Sequence, residues 1–282
     1  MKILVTGGAG FIGSHLVAKL INLGHSVSVL DNLSTGKKEH LHENVTFSQG
    51  DIRSENDVKK AMTGCEAVFH LAAQTDARCT DADFDFQVNF VGSKNVFSFA
   101  KEAGAKIIFT SSAAIFGDAP IPVSEETEKK PISSYGKTKL QAQKLLNEEE
   151  SFIAIPFNTY GPKGIGVINR FAKLIKQEKP IKIFGDGMQT RDFIFVSDTV
   201  DALLLGLENT GIYTIGTQKE ISVLQLIDYL KELTGENFDI EYNQEVPGEI
   251  RRSLADITKI KQLKWSPKVS LVDGIRRVLE SY

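Results

Sequence analysis

Cysteine is scarce: Cys65 and Cys79 are the only two in 282 residues. Their spacing matches neither a metal site nor a redox pair, so a disulfide framework and a thiolate metal centre are excluded and no metal is expected. Long apolar runs are missing as well, none approaching the ~20 residues that span a bilayer. Like charges nowhere run to five in a row and the net charge is −3, which argues against a nucleic-acid or membrane partner. The strand-like Lys2-Ile3-Leu4-Val5-Thr6 occupies the place where a charged leader and an apolar stretch would stand, so no export signal is expected and a cytoplasmic protein is the economical reading. What remains is globular: 41% hydrophobic and 24% charged residues. The length suits one large domain or two unequal ones.

Short β-branched runs at residues 3–6, 26–30, 45–48, 67–70 and 107–110 alternate with helical patterns at 11–23, 57–62 and 89–103. Strands so short and apolar are covered on both faces, which predicts an α/β protein with a Rossmann-type, doubly wound parallel sheet. A helix over 134–149 and a strand over 152–155 continue the pattern. After Tyr160-Gly161-Pro162, glycine and proline punctuate shorter elements, with a helix near 167–177. The spacing therefore predicts a first domain of residues 1–160 and a smaller C-terminal α/β lobe of 161–282. A segment near 190–210, strand 193–196 with helix 199–208, is expected to return to the first sheet. Amphipathic patterns over 223–233 and 272–279 belong to the lobe.

Gly8-Ala9-Gly10-Phe11-Ile12-Gly13 follows the first strand and opens the first helix. Glycines there allow a sharp turn and close approach of a pyrophosphate to free N–H groups. Asp31 ends the second strand, 18 residues after Gly13. A carboxylate at that place accepts a ribose 2′-hydroxyl and repels a 2′-phosphate, which selects NAD as cofactor over NADP. Asp51-Ile52 follows the next strand and is placed to cap the adenine edge, or is an ordinary turn. His70-Leu71-Ala72-Ala73 lies at the carboxyl edge, where open α/β sheets bind ligands; His70 itself reads as structural.

Tyr135 and Lys139 are four residues apart, one turn along one helix face. A phenol has a pKa near 10, so work as a base near neutrality needs a cation that favours phenolate, a role Lys139 could fill. A surface Tyr/Lys pair is the alternative. Phe109-Thr110-Ser111-Ser112 brings hydroxyls to the same sheet edge, and Ser112 could bridge the Tyr135 oxygen and a substrate hydroxyl.

Together these residues resemble the extended short-chain dehydrogenase/reductase family, over residues 2–279. The resemblance implies Ser112, Tyr135 and Lys139 as catalytic residues. It places Gly7, Gly10, Phe11, Ile12, Gly13, Asp31, Asn32, Ser34, Asp51, Ile52, Leu71, Ala72, Ala73, Asn89, Ser111 and Pro156 around NAD, with Tyr135 and Lys139. It implies nucleotide-sugar contacts from Ser112, Asn158, Val167, Ile168, Phe184, Arg191, Glu249 and Ser253: Asn158 and Arg191 on the diphosphate, Phe184 and the backbone of Val167 and Ile168 on uracil, Glu249 on ribose. Ala113-Ala114 stands where family members that eliminate water or decarboxylate carry acids, so the implied activity is 4-epimerisation of a UDP-hexose with bound NAD. A 4-keto-sugar reductase and a non-catalytic dinucleotide sensor are the alternatives. Ile155 and Val246 stand where the family has arginines, with Arg251 or Arg252 as substitutes, and Phe116 replaces a common tyrosine. Ser253 leaves room for an acetamido group, and a homodimer through a four-helix bundle of the helices at 89–103 and 134–149 is implied.

Overall fold

The computed structural model describes residues 1–75, 81–245 and 250–282. The chain divides into two compact units: Met1–Gly117, Lys129–Ile155 and Val200–Tyr213 form the first, and Asp118–Glu128, Pro156–Thr199 and Thr214–Tyr282 the second.

The first unit opens β1 (Lys2–Thr6), α1 (Phe11–Asn22), β2 (Ser26–Asp31), β3 (Thr46–Gln49), α2 (Glu55–Met62) and β4 (Ala67–His70). It continues with α3 (Ala82–Phe86), α4 (Ser93–Glu102), β5 (Lys106–Thr110), α5 (Ser134–Gln143) and β6 (Phe152–Pro156). Further along come β7 (Asn158–Tyr160), α6 (Val167–Lys176), β8 (Ile181–Phe184), β9 (Thr190–Phe195), α7 (Val196–Leu204), β10 (Gly211–Ile215), β11 (Glu220–Ser222), α8 (Val223–Thr234), β12 (Ile240–Asn243), α9 (Thr258–Lys261) and α10 (Leu271–Glu280).

Seven strands form one sheet in the order β10-β6-β5-β4-β1-β2-β3. β1 runs parallel to both β2 and β4, with Val5 opposite Val29 and Phe69. The interior strands have no exposed face: Ile3, Leu4 and Val5 of β1 and Val68 and Phe69 of β4 are fully buried. Helix α1 packs on β1 and β2, α2 on β2, and α4 on β4 and β5. Chain order reverses between β1 and β4, so the crevice at their carboxyl ends is the ligand position of such sheets. The doubly wound Rossmann-type fold expected from the alternation is present.

In the second unit, β9 pairs in parallel with β7 and antiparallel with β11, and β12 pairs in parallel with β8. Strand 193–196 was expected to rejoin the first sheet; the structure puts it, as β9, in this three-stranded sheet, and β10 is the strand that returns. Asp192 explains the difference. Buried in β9, it accepts hydrogen bonds from Thr217 N and Oγ1, Gln218 N and Ala255 N at 2.6–3.1 Å, which ties β9 to the second unit. Apolarity alone does not distinguish the two sheets.

Two helices also differ from expectation. The pattern over 89–103 is interrupted by a π-helical turn at Gln87–Gly92 before α4, a distortion that often marks functional positions. The helix expected to reach residue 149 ends at Gln143. Asn147 takes over the backbone, its carbonyl accepting from Glu150 and Ser151 and its side chain from Glu149 N. Glu148, Glu149 and Glu150 also oppose the negative end of a helix dipole. No described helix is long and apolar enough to cross a membrane, and no described side chains group as a metal site.

Candidate active site

The turn after β1 is built by close approach. Gly7 has φ +73°, and a Cβ on it would lie 2.6 Å from Ala72 N. One on Gly13 would overlap the Gly7 carbonyl. Gly10 caps α1 without a side chain, so no hydroxyl or carboxylate blocks the first-turn N–H groups of Phe11 and Ile12. This is the cradle a pyrophosphate needs, and the glycines are there because any side chain would fill it.

Asp31 closes the cradle from β2. Its Oδ2 accepts from Ala9 N at 3.0 Å and its Oδ1 from Leu33 N at 2.8 Å. Each oxygen keeps a second lone pair for a ribose hydroxyl. Asn32 donates to Asp51 Oδ2 at 3.1 Å, and its own Oδ1 accepts from Ser34 N. The Asp51 carboxyl is held down to about 2, chiefly by hydrogen bonds from the Arg53 side chain. Ile52 points the other way: its side chain is in the core beside Gly92, and its carbonyl accepts from Asn95. Any cofactor contact by Ile52 is thus left to its N–H.

At the end of β4, His70 is fully buried between Thr6 Oγ1 at 2.6 Å and Ser93 Oγ at 2.8 Å, stacked on Phe109. Burial, with Lys139's charge, pushes its pKa well below 6.5. It is a neutral core histidine that fixes the edge, where Leu71 N donates to Thr6 O and Ala72 N to Thr6 Oγ1; Ala73 follows, partly buried. Asn89 is also fully buried. Its side chain pairs with both backbone groups of Gln74 and donates to Thr138 Oγ1 at 3.2 Å, so it fastens the loop after Ala73 to α5.

The candidate reacting groups lie at the end of β5 and on the first turns of α5. Ser111 is committed to structure, donating to Gln143 Oε1 at 2.7 Å. Ser112 turns outward, caps the short turn Ala113–Ile115 and lies close enough to Tyr135 to favour its phenolate. Gly136 makes that meeting possible, because a Cβ there would run into the Ala114 carbonyl. Ser133 starts α5 by accepting from Gly136 N at 3.1 Å. One turn on, Lys139 is 2% exposed with Nζ 4.3 Å from the centre of the Phe109 ring, and burial lowers its pKa to about 7.

Tyr135 is partly open to solvent, yet burial raises its phenol above 10, Ser112 opposes the rise, and Asp85's charge adds to it. The sequence suggested a phenol lowered by Lys139 together with an oxidised nicotinamide ring. Among the protein's own groups, burial and Asp85's charge outweigh Ser112. Asp85 is the influence that sequence reasoning missed, since an acidic residue in the polar run Asp81-Ala82-Asp83-Phe84-Asp85 reads as exposed.

In the second unit, Pro156 is buried at the end of β6 and Asn158 is exposed on β7. Val167 and Ile168 open α6, the latter fully buried. Phe184, Gly185, Gln189, Glu245, Ile250 and Arg251 line a small pocket. Phe184, expected on uracil, is one of its walls; Gln189, which the sequence did not single out, is another, buried with its Nε2 donating to Phe184 O. Val167 and Ile168, expected opposite Phe184, are not among its walls. Arg191 donates to the carbonyls of Thr190 and Ile250 at 2.7 and 2.8 Å. Arg251 pairs with Asp186 and Arg252 with Glu220, each through two hydrogen bonds. Ser253 is partly buried. Glu249, with Val246, lies outside the described residues, as does Cys79.

Comparison with known proteins agrees with this layout. The model of the family described as "NAD dependent epimerase/dehydratase family" matches residues 3–216. The chain is similar to a putative UDP-glucose 4-epimerase of Methanocaldococcus jannaschii, with 38% identity covering 98% of this chain and 97% of that one. UDP-glucuronic acid decarboxylase 1 of Arabidopsis thaliana is 33% identical, over 100% of this chain and 70% of the relative. Among solved structures, the UDP-glucose 4-epimerase of Thermotoga maritima with UDP-glucose has a TM-score of 0.96 and 37% identity, covering 100% and 98% of the two chains. A UDP-N-acetylglucosamine 4-epimerase from Methanobrevibacter ruminantium reaches 0.94 at 30% identity, covering 99% and 97%. The glycine cradle, the Asp31 carboxylate and these full-length similarities together establish that the chain belongs to the NAD dependent epimerase/dehydratase family and is an NAD-dependent enzyme.

Proposed function

We propose that the protein is a UDP-hexose 4-epimerase that interconverts UDP-glucose and UDP-galactose. The observation that carries this reading is that Ser112 acts on the Tyr135 phenol, one helical turn from the buried Lys139, with Ala113 and Ala114 in the place of additional acids. A site with one proton-transfer group and alanines at 113 and 114 is suited to oxidation and re-reduction at one carbon, and lacks at those positions the acids that elimination would use.

In this reading the first unit holds NAD. Gly7, Gly10, Phe11, Ile12 and Gly13 receive the pyrophosphate, and Asp31, with Asn32, Ser34, Asp51 and Ile52, receives the adenosine. Leu71, Ala72, Ala73, Asn89, Ser111 and Pro156 border the nicotinamide end. NAD supplies the two-electron oxidation at C4 and its reversal. Tyr135 removes the proton from the 4-hydroxyl and later returns it, and Ser112 holds that hydroxyl in line. Lys139 favours the phenolate once charge is needed. The second unit holds the nucleotide sugar through Asn158, Val167, Ile168, Phe184, Arg191, Glu249 and Ser253.

The small Ser253 side chain supports acceptance of UDP-N-acetylhexosamines too. A homodimer is the expected assembly, with α4 and α5 pairing across a two-fold axis as a four-helix bundle; Ile132 and Leu145, on either side of α5, are 48% and 36% exposed and supply apolar surface there. Purified protein incubated with UDP-galactose or UDP-N-acetylgalactosamine tests the assignment. Formation of the 4-epimer by chromatography without stoichiometric NADH is the expected result, and net consumption of NADH would mean a reductase instead.

A further inference from the structure

Helix α3 has one buried residue, and it is a carboxylate: Asp85 is fully buried while Asp81, Ala82, Asp83 and Phe84 are exposed. Among the described residues neither Oδ1 nor Oδ2 has a hydrogen-bond partner. An unpaired buried carboxyl is costly to fold and serves no packing need that a leucine would not meet better. Its position gives it another use. Helix α3 packs on α5. Four residues on, the equally buried Asn89 donates to Thr138 Oγ1, and Thr138 in turn donates to the Tyr135 and Ser134 carbonyls at 3.0 and 3.1 Å. The face that carries Asp85 and Asn89 is therefore fixed against the first turn of α5.

We infer that Asp85, the one buried residue of α3, is a positioning residue for Tyr135, held by α3 against the helix that carries the phenol. The inference rests on the reading of Tyr135 as the proton-transfer group. A base that is used twice in opposite directions must keep the proton it has taken until it is returned. Asp85 favours the protonated form, Ser112 and the positive charge of an oxidised nicotinamide favour phenolate, and the opposition lets one residue do both. Its electrostatic action on Tyr135 has the sign this requires. The other charged or titratable groups on the packed elements are Tyr135, Lys137 and Lys139 on α5 and Asp81 and Asp83 on α3 itself. Lys137 and Asp83 are exposed, Asp81 caps the Phe84 N–H, and Lys139 lies over Phe109. The π-helical turn at Gln87–Gly92 carries none.

The test is a pH titration of phenolate ultraviolet absorbance on NAD-loaded protein, with Tyr135→Phe identifying the signal. Asp85→Asn should move the Tyr135 midpoint down by about 1 pH unit, the size of effect a neighbouring charge exerts. Asp85→Leu should do the same, so a folding failure of one variant leaves the other, and Asp85→Glu should restore most of the original midpoint. The acid limb of kcat should follow the midpoint, with KM unchanged. A midpoint that stays where it was in a folded Asn or Leu variant overturns the inference. A midpoint that moves while the acid limb stays keeps Asp85's action on the phenol and removes Tyr135 from the proton transfer instead.

Discussion

The two units hold their candidate ligand groups by different means. In the first, the groups are fixed by backbone: the Gly7 turn touches Ala72, Asp31 is bound to Ala9 and Leu33, and Ser112 meets Tyr135 because Gly136 lets α5 approach Ala114. In the second, Arg251 and Arg252 reach carboxylates through long, exposed side chains, with the exposed Asp186 and the half-buried Glu220 as partners. The first arrangement has few alternatives and the second has many. A rigid site suits a cofactor that is the same in every turnover, whereas adjustable ion pairs suit the part that differs between related sugars.

The contrast is sharpest where chemistry depends on it. Tyr135→Phe should lower turnover by roughly 10³-fold, within the usual range for loss of a general acid–base group, while NAD stays bound. Steady-state kinetics and cofactor content of the purified variant check this. Loss of NAD together with activity would make Tyr135 a binding residue.

Next in size is Gly13→Ala. The added Cβ meets Gly8 Cα at 2.8 Å and overlaps the Gly7 carbonyl, backbone that cannot rotate away as a side chain can. A cost of about 1–3 kcal/mol in stability and at least about a tenfold loss in NAD affinity are expected, read by thermal unfolding and fluorescence titration. Asp31→Ala should come after it. It strips Ala9 N and Leu33 N of their acceptor, weakens NAD by about tenfold and lets NADP compete. Unchanged selectivity would move discrimination elsewhere in the cradle.

Much of the first unit was legible from sequence because its signals are local. A strand, a glycine turn and a helix are adjacent in the chain, and the Tyr135–Lys139 spacing lies within one helix. Asp31 could be placed by counting from Gly13. What escaped depends on distant partners. The membership of β9 is decided by Asp192 reaching Thr217 and Ala255, residues 25 and 63 positions away. Gln189 enters the pocket because it bonds the Phe184 carbonyl, and Ile52 leaves the edge because Gly92 makes room for it. Asp85 was hidden most completely, since composition gives no sign that one acid among three is turned inward.

The smallest effect should come from the second unit's ion pairs, and it carries a defined pH sign. Hydrogen bonds from Arg251 and then from Met188 N, with Arg251's charge after them, hold the Asp186 carboxyl down to about 2 from its ordinary 3.8. A carboxylate lowered in the folded state adds stability at pH values above 3.8, and the contribution disappears as pH falls through the interval to 2. Arg251→Ala should therefore melt slightly below the parent at pH 6 and together with it near pH 2. Because the pair is exposed, solvent and salt screen it, and the shift at pH 6 should be about 1 °C or less. KM for the nucleotide sugar should change more than kcat, since Arg251 lines the Phe184 pocket and touches none of the proton-transfer groups. A melting shift comparable to that of Gly13→Ala would mean that the second unit is as tightly determined as the first, and the contrast between them would fail.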